Sequence, residues 1–321
     1  MTQKPRTAII GAGKVGSALA ILLKARGYPL AGIASKSFAS ACRLADLTGA
    51  PAFDSPLPLV DSAELVFITT PDREIAPVSA YLAEAGAYHP GQVVAHTSGA
   101  HSADELLGAR QAGALAVSIH PLQSFADLDT ARRNLPGSYF ALEGDAAALP
   151  LAEQIVSDLG GKSFHIRAQD KPLYHAAACI ASNYLVALLH FATGLYEKFG
   201  LTRQEAFAAL QPLVQGTLNN IAAVGPVQAL TGPIARGDIP TLRGHLPALE
   251  EAGSQLAHLY RALGQYTVKI ALEKGTIDHR QALALAEVLK EEKQYEQPKS
   301  DHGLLPAGQT GGTAADNAYR L

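Results

Sequence analysis

The sequence has few cysteines and little charge, and both shortages narrow the kind of protein it encodes. Only two of its 321 residues are cysteine, Cys42 and Cys179. Two are too few for a disulfide framework, which favours a reducing compartment. The formal net charge is −3, so a broad basic surface for nucleic acid or anionic lipid is excluded. Because 48% of the residues are hydrophobic, we predict a compact globular protein with a large core.

A secretory leader and a clear membrane span are also missing. The first residues, MTQKPRT, run directly into an apolar strand, with no hydrophobic region or small-residue cleavage site. The longest apolar stretch, residues 173–195, contains His175, Asn183 and His190. This mixture favours a buried helix over a membrane span. We therefore predict a cytoplasmic protein.

The signatures of two enzyme classes are absent as well. There is no G-x-S-x-G elbow, so Ser98 in HTSGA is not expected to be a hydrolase nucleophile. His96, His101 and His120 are accompanied by no cysteine and few acids, and their spacing matches no compact metal site. We predict no metal ion.

Strand and helix patterns alternate over the first half of the sequence and then give way to helices alone. The alternation predicts parallel β-α-β units in an α/β, Rossmann-type doubly wound parallel sheet over residues 1–168. An all-α second domain is predicted at 169–297, and a flexible tail rich in Gly, Pro, Ala and Thr at 298–321. The predicted strands lie within 7–10, 29–35, 64–71, 92–98, 114–121, 137–144 and 162–167. Predicted helices of the second domain cover 172–199, 203–224, 240–263 and 264–297.

A glycine-rich turn joins the first strand to the first helix. Gly11, Gly13 and Gly16 form G-x-G-x-x-G. The first glycine permits the tight turn, the second lets a pyrophosphate approach the backbone, and the third lets helix and strand pack closely. The pattern predicts a dinucleotide site, and the alternative is a purely structural turn. The cofactor-binding residues predicted here are Gly11, Ala12, Gly13, Lys14, Val15 and Gly16.

The end of the second strand indicates which dinucleotide binds. NAD enzymes usually place an acid there to hold the ribose 2′-hydroxyl. This sequence instead has Ser35, Lys36 and Ser37. A cation flanked by hydroxyls suits a 2′-phosphate, so we predict NADP. The alternative is that Lys36 is a solvated surface lysine.

Polar loops follow three further strands, at the edge where open α/β sheets bind their ligands. Thr70 and Pro71 follow one strand, and Thr97 and Ser98 follow the next. A nicotinamide reaching across the sheet from the glycine turn would lie near these four residues, which we therefore add to the predicted cofactor site.

The same loops offer groups to a substrate. Ser98 and Gly99 could present a hydroxyl and a backbone N–H to a carboxylate, while His120 and Gln123 could hydrogen-bond a carbonyl or its alkoxide. The alternative is that these residues simply form turns.

The helix that opens the second domain carries Lys171 and His175 on one face, because they stand four residues apart. Either could protonate the atom that becomes negative as hydride arrives, since burial can bring a lysine pKa near ambient pH. Asn183 follows on the same helix, and Arg236 in GPIARGD could clamp a carboxylate. The alternatives are a solvated lysine, a core histidine and an inter-helix turn.

Taken together, these stretches resemble a bacterial family with a Rossmann-like domain and a C-terminal helical domain of unknown function, an NADP oxidoreductase family of the deazaflavin-dependent type. The matching stretches are IIGAGKVGSALA, FITTPDREIAPV, HTSGAHSADEL, SIHPLQSF, DKPLYHAAACIASNYLVAL and LTGPIARGD. The arrangement is also similar to ketopantoate reductase, pyrroline-carboxylate reductase and the β-hydroxyacid dehydrogenases. In the last group a lysine and an asparagine one turn later serve the substrate; here Lys171 matches, but His175 replaces the asparagine.

The resemblance implies a helical domain of the 6-phosphogluconate-dehydrogenase C-terminal type, an NADP cofactor and hydride transfer. We expect an NADP(H)-dependent reductase of a small carboxylate-bearing ketone, such as a ketopantoate-like 2-oxo acid, with Lys171, His175, Ser98, His120, Asn183 and Arg236 at the catalytic site. The alternatives are an imine reductase of the pyrroline-carboxylate type and a non-catalytic NADP-binding regulator. A homodimer through the alanine-rich helical domain is expected in each case.

Overall fold

The chain, described here by a computed structural model for residues 3–290, divides into two compact units. The division falls between His190 and Phe191. It lies after the boundary predicted at 168/169, because the helix that begins at Lys171 packs with the sheet. The domain limits stay a prediction, and the tail predicted at 298–321 lies outside the described residues.

The first unit is built on one sheet of eight strands. They are β1 (Thr7–Ile10), β2 (Leu30–Ala34), β3 (Ala52–Phe53), β4 (Leu65–Ile68), β5 (Val93–His96), β6 (Leu115–Pro121), β7 (Tyr139–Gly144) and β8 (Lys162–His165). Their order is β3-β2-β1-β4-β5-β6-β7-β8. Strands β1 to β6 are parallel, which confirms the predicted Rossmann-type arrangement.

Two features of this sheet differ from the prediction. Strand β7 pairs antiparallel with β6, and β8 pairs parallel with β7, so the last two strands run against the rest. Apolar strand patterns carry no sign of direction, so the reversal was not foreseen. Strand β3 was missed because it contains only two residues.

Helices cover both faces of the sheet, as a doubly wound fold requires. Along β1 the side chains alternate: Ile9 belongs to one hydrophobic core and Ala8 and Ile10 to the other. Leu19 of α1 packs in the first core, and Leu82 of α4 packs in the second. The helices are α1 (Lys14–Ala25), α2 (Phe38–Thr48), α3 (Leu57–Asp61), α4 (Asp72–Glu84), α5 (Leu107–Gln111), α6 (Leu128–Asn134), α7 (Leu149–Asp158), α8 (Lys171–Ala181) and α9 (Asn183–Tyr196), which crosses the division.

The apolar stretch predicted as one buried helix is two helices and is largely exposed. Helix α8 ends at Ala181 and Ser182 interrupts it. Leu173 is 78% exposed and Val186 is 67% exposed, so the prediction of burial is wrong for the single chain. By length and composition alone, the stretch Ala168–Phe199 is also long and apolar enough to cross a membrane. Apolar helices of other kinds pass that test too, so it assigns no span.

The second unit is all-α in its described part, as predicted. Its helices are α10 (Arg203–Ala229), α11 (Ile239–Ala252), α12 (Ser254–Lys274) and α13 (His279–Val288). Leu242, Val268 and Leu285 lie in its core. The predicted junction at 263/264 is wrong: α11 and α12 separate at Gly253, whose φ of 152° suits glycine. Helix α10 extends past the predicted end through a non-helical Gly225 with φ 79°.

Candidate functional site

The glycine turn is packed tightly at two of its three glycines. Gly11 has a φ of 110°, and a Cβ there would lie 2.8 Å from the carbonyl carbon of Thr69. A Cβ on Gly16 would collide with the carbonyl oxygen of Gly11 and with Thr69 Oγ1. A Cβ on Gly13, by contrast, would meet nothing within 4 Å. The turn therefore keeps an open approach at its second glycine, where a pyrophosphate would come closest.

The start of α1 beside that opening fits an anion. Gly13 is the N-cap residue, no side chain caps the helix, and its first turn contains no acid. The first backbone N–H groups of a helix have no intrahelical acceptor, and the helix dipole is positive there. Lys14 and Val15 begin the helix, and Ala12 N–H donates to Ser35 Oγ at 3.4 Å. The predicted residues of the turn thus lie together at the uncapped start of α1.

The predicted 2′-phosphate residues lie between β2 and α2. Ser35 is engaged by the glycine turn, and Lys36 is exposed. Ser37 is the N-cap of α2 and accepts from Ser40 N–H at 3.3 Å. Arg43, which the sequence analysis missed, donates to Ser40 Oγ at 2.8 Å and adds a second cation to this helix. The N-terminal part of α2 therefore has positive charge and no acid in its first turn.

The loop after β4 presents an unsatisfied hydroxyl beside the glycine turn. Thr69 Oγ1 donates to the Gly11 carbonyl at 2.7 Å, which ties the two loops together. The buried Thr70 Oγ1 has no hydrogen-bond partner among the described residues. Pro71 is the N-cap residue of α4. A buried hydroxyl without a partner is costly, so Thr70 fits a site that a bound ligand completes.

The loop after β5 is held by a neutral histidine. His96 Nδ1 accepts from Ser98 N–H at 3.1 Å, so Nε2 carries the proton and donates to the Ser102 carbonyl at 3.0 Å. Burial lowers the pKa of His96 to about 3. Ser98 Oγ accepts from Ala100 N–H and His101 N–H at 3.2 and 3.1 Å. His96 and the Ser98 hydroxyl thus build the turn that presents Gly99, and Thr97 is half-buried before it.

Lys171 is enclosed beneath this loop. Its side chain is 1% exposed, and Nζ donates to the Ser98 carbonyl at 2.9 Å and to Ser118 Oγ. Burial lowers its pKa to about 8, against a raising effect from Glu143 and Asp72. The ammonium therefore links the loop after β5 to strand β6. Its prediction as the general acid is left open by this geometry.

Two imidazoles meet at Gly99. A Cβ on Gly99 would lie 2.6 Å from His175 Cδ2 and 2.7 Å from His120 Nε2. The two rings are 6.3 Å apart between centroids. His120 Nδ1 lies 2.6 Å from the hydroxyl of Tyr174. The absence of a side chain at Gly99 is what lets both histidines approach the loop.

The His120 imidazole and the Tyr174 phenol are both uncharged at neutral pH. Burial, together with the nearby Lys171 and His175, lowers the pKa of His120 to about 4. Burial raises the pKa of Tyr174 to about 12. At neutral pH the imidazole therefore has one proton and the phenol keeps its own.

The structure brings four of the predicted catalytic residues together within the first unit. Lys171, Ser98, His120 and His175 form one cluster around the loop after β5. Asn183 is exposed at the start of α9. Arg236 is exposed in the second unit, at the end of the 3₁₀ turn Ile234–Arg236, before Asp238 caps α11. The segment around Arg236 is therefore an inter-helix turn, which was the alternative to a carboxylate clamp.

Three residues of the cluster were missed from the sequence. Tyr174 could have been found, because it stands three residues after Lys171 and so shares that side of the helix. Ser118 and Glu143 lie inside strands β6 and β7 and carry no motif. Glu143 is buried and accepts from Ala103 N–H at 2.8 Å. It is close enough to Lys171 to raise the pKa of that lysine.

Comparisons with known proteins agree with the two-part architecture. Residues 2–121 match the family described as Rossmann-like domain, and residues 138–267 match the domain of unknown function DUF2520. The chain is thus similar to a Rossmann-like domain in its first part and to DUF2520 in its second, which confirms the arrangement that the sequence motifs resembled. Helix α8, with Lys171, falls in the DUF2520 part. No curated protein matches the chain.

Solved structures share the fold over most of the chain. Protein TM1727 from Thermotoga maritima is 29% identical, with a TM-score of 0.66, over 84% of this chain and 99% of that one. BF3122 from Bacteroides fragilis, assigned as an NADP oxidoreductase, is 20% identical, with a TM-score of 0.66, over 83% and 99%. A reductive aminase from Aspergillus terreus, in complex with NADPH and ethyl levulinate, is 19% identical, with a TM-score of 0.60, over 89% and 100%. The last two similarities show the fold alone.

Proposed function

We propose that this protein is an NADP(H)-dependent oxidoreductase that reduces a small carbonyl compound. The observation that carries the proposal is a shared sheet edge. The open glycine turn follows β1, and the Gly99 cluster follows β5 and β6, so both lie at the carboxyl ends of parallel strands. In open α/β sheets this edge binds the ligands. The NADP and NADPH named for the structural neighbours support the choice of cofactor.

The favoured substrate is a small carboxylate-bearing ketone, a 2-oxo acid of the ketopantoate-like kind. NADPH would supply the hydride when bound. The residues of this chain would then hold the carbonyl and provide the proton that its oxygen needs. Lys171 and His175 are the proposed acids, with Ser98, His120, Asn183 and Arg236 positioning the substrate. His120 and His175 are the members of this set that border Gly99.

A second candidate keeps the cofactor and reduces an imine. A reductive aminase is among the proteins of the same fold, and an imine formed from a ketone presents the same trigonal carbon to hydride. A panel of 2-oxo acids against cyclic imines, with NADPH oxidation as the readout, separates the two substrate classes. A non-catalytic NADP-binding regulator would turn over neither class.

We also propose that the protein is a cytoplasmic homodimer through its helical part. Exposed apolar side chains on α8 to α10 support an interface, including Leu173, Val186, Leu213 and Val224.

The first test is a thermal-shift titration of the full chain with NADPH, NADH and a reduced deazaflavin in parallel. A ligand at 100 times its dissociation constant adds about 2.7 kcal/mol to stability, which moves the midpoint by several degrees. We expect the largest shift with NADPH. If the deazaflavin alone shifts the midpoint, NADPH is not the working reductant.

Gly13→Ala is the matched variant for this titration. The added methyl meets no protein atom, so the unliganded midpoint should stay close to wild type. It would occupy the approach to the glycine turn, so the NADPH shift should fall or vanish. If neither nicotinamide stabilises the wild-type protein, the proposed function is wrong.

A further inference from the structure

We propose that Tyr174 makes His120 a proton donor of this site, by holding the imidazole in the tautomer whose Nε2 proton faces Gly99. The use of that proton in reduction rests on the proposed function and changes one part of it: His120, in place of Lys171 or His175, supplies the proton. The tautomer itself is a property of the chain and can be measured without cofactor or substrate. Tyr174 acts through His120, so it is a positioning residue, and nothing in the sequence motifs pointed to it.

The first step is the contact between the two side chains. His120 Nδ1 and the Tyr174 hydroxyl lie 2.6 Å apart, with their rings edge to face at 5.5 Å. Such a short separation is a hydrogen bond, and only one of the two groups can donate it. The phenolic oxygen has no other acceptor for its proton among the described residues. A Tyr174 O–H that donates to Nδ1 therefore satisfies both groups.

The second step follows from the chemistry of a neutral imidazole. When Nδ1 accepts, the single ring proton is on Nε2. The low pKa of His120 excludes a second ring proton at neutral pH. His120 is thus a neutral donor at Nε2, in contrast to His96, whose two nitrogens are both occupied by the loop.

The third step is where Nε2 points. It has no hydrogen-bond partner among the described residues, and it lies 2.7 Å from the place that a Cβ on Gly99 would occupy. Lys171, the other strong donor nearby, already donates to the Ser98 carbonyl and to Ser118. The His120 proton therefore faces the backbone of the loop at Gly99, where a side chain would collide with both imidazole rings.

His120 and Tyr174 together can supply the proton that the reduction consumes. As hydride adds to the carbonyl carbon, the π electrons move to oxygen, which forms a bond to the Nε2 proton. The Nε2–H bond breaks, Nδ1 takes the Tyr174 proton, and the imidazole stays neutral throughout. Water then returns a proton to the half-buried Tyr174 oxygen.

The test is nitrogen NMR of the full chain labelled with ¹⁵N-histidine, because protonated and unprotonated ring nitrogens resonate far apart. We expect wild-type His120 to be protonated at Nε2 and not at Nδ1, with its signals identified by their loss in His120→Asn. In Tyr174→Phe the ratio of the Nε2–H to the Nδ1–H tautomer should fall about 2- to 12-fold, the equivalent of one ordinary hydrogen bond.

Tyr139→Phe is the matched control. Its ring packs on Phe164, which also contacts the ring of Tyr174, whereas the hydroxyl that bonds His120 belongs to Tyr174. This variant should leave the tautomer ratio unchanged. An Nδ1–H tautomer in the wild type, or an unchanged ratio in Tyr174→Phe, overturns the proposal.

A second measurement tests whether the Tyr174–His120 contact affects turnover. It also distinguishes failure of the tautomer assignment from failure of the proposed reductase function. With a substrate from the reductase panel, Tyr174→Phe should lower kcat more than it changes KM, while its NADPH thermal shift stays at the wild-type value. Equal kcat in both proteins overturns the role in proton donation. If NADPH fails to bind wild type while the tautomer result holds, the proposed function fails and the tautomer assignment stands.

Discussion

The two units of this chain differ in how completely they cover their own apolar side chains. In the sheet unit, Phe67 and Phe140 are fully buried, and the helices provide a core on each face. In the helical unit, one compact core is accompanied by apolar side chains in water: Phe199 is 72% exposed and Leu213 is 67% exposed. A monomer rarely leaves many large apolar groups uncovered. Apart from the exposed helices α8 and α9, the sheet unit covers most of its large apolar side chains with its own chain. The helical unit leaves an apolar face that is suited to cover by another chain.

The largest effect should come from the closest packing in the sheet unit, at Gly16. We expect Gly16→Ala to lower the free energy of unfolding by about 3 kcal/mol or more, because its methyl collides with the Gly11 carbonyl and Thr69. Urea unfolding of the variant measures this. Gly13→Ala is the control, since its methyl meets nothing within 4 Å. Equal stability of the two variants would contradict the tight turn described above.

The next effect is the pH dependence that Lys171 gives to the sheet unit. Its pKa falls from 10.5 to about 8 on folding, so the unfolded chain binds this proton more tightly between those values. The penalty for burying the charge is therefore complete below pH 8, and stability rises as pH increases from 8 toward 10.5. Over the whole interval the gain is about 3 kcal/mol, at 1.36 kcal/mol for each unit of pKa.

Lys171→Met should abolish this rise, because methionine has no proton to release. Lys162→Met is the control: Lys162 is exposed over the ring of Tyr139, so its loss should leave the rise in place. Unfolding by urea at a series of pH values gives the comparison. A rise that survives in Lys171→Met would show that other groups cause it.

A smaller effect is expected on the exposed face of the helical unit. Leu213→Glu and Val224→Glu place charges on α10 where the side chains are 67% and 54% exposed. We expect each to weaken a homodimer at least about tenfold, or about 1.4 kcal/mol, by sedimentation or light scattering. Leu47, on α2 of the sheet unit, is 64% exposed, and Leu47→Glu should leave assembly unchanged. If the wild-type protein is a monomer, the exposed apolar side chains of α10 are not a dimer interface.

The smallest effect concerns the surface of the sheet unit at Lys36. Its ammonium is exposed, so its attraction for a 2′-phosphate is screened by water and amounts to about 1 kcal/mol. Lys36→Ala should weaken NADPH binding roughly fivefold and leave NADH binding unchanged, as measured by thermal-shift titration. Equal losses for both nucleotides would mean that Lys36 does not read the 2′-phosphate.

The features predicted correctly from sequence are those set by local pattern. G-x-G-x-x-G marked the turn because the steric demands at Gly11 and Gly16 come from adjacent backbone, and strands β1, β2 and β4 to β6 were marked by their apolar runs. The direction of β7 was not predictable in this way, since an apolar strand has the same composition whichever way it runs.

The candidate site shows the same limit. Lys171 and His175 were found because four-residue spacing places them on one helix side. Ser118 and Glu143 are inward-facing strand residues, and their proximity to Lys171 depends on pairing between β6 and β7 that no short motif encodes. The exposure of α8 was mispredicted for a related reason: an exposed apolar helix has the same composition as a core helix.

The hydrogen bonds of Lys171 also have a consequence for the order in which the protein folds. Nζ joins groups 73 and 53 residues away in sequence, at the Ser98 carbonyl and at Ser118. The ammonium can lose its water only after β5 and β6 have paired and α8 has docked on them, so we expect these bonds to form late in folding. Substitution of Lys171 should therefore act on the unfolding rate and leave the folding rate nearly unchanged.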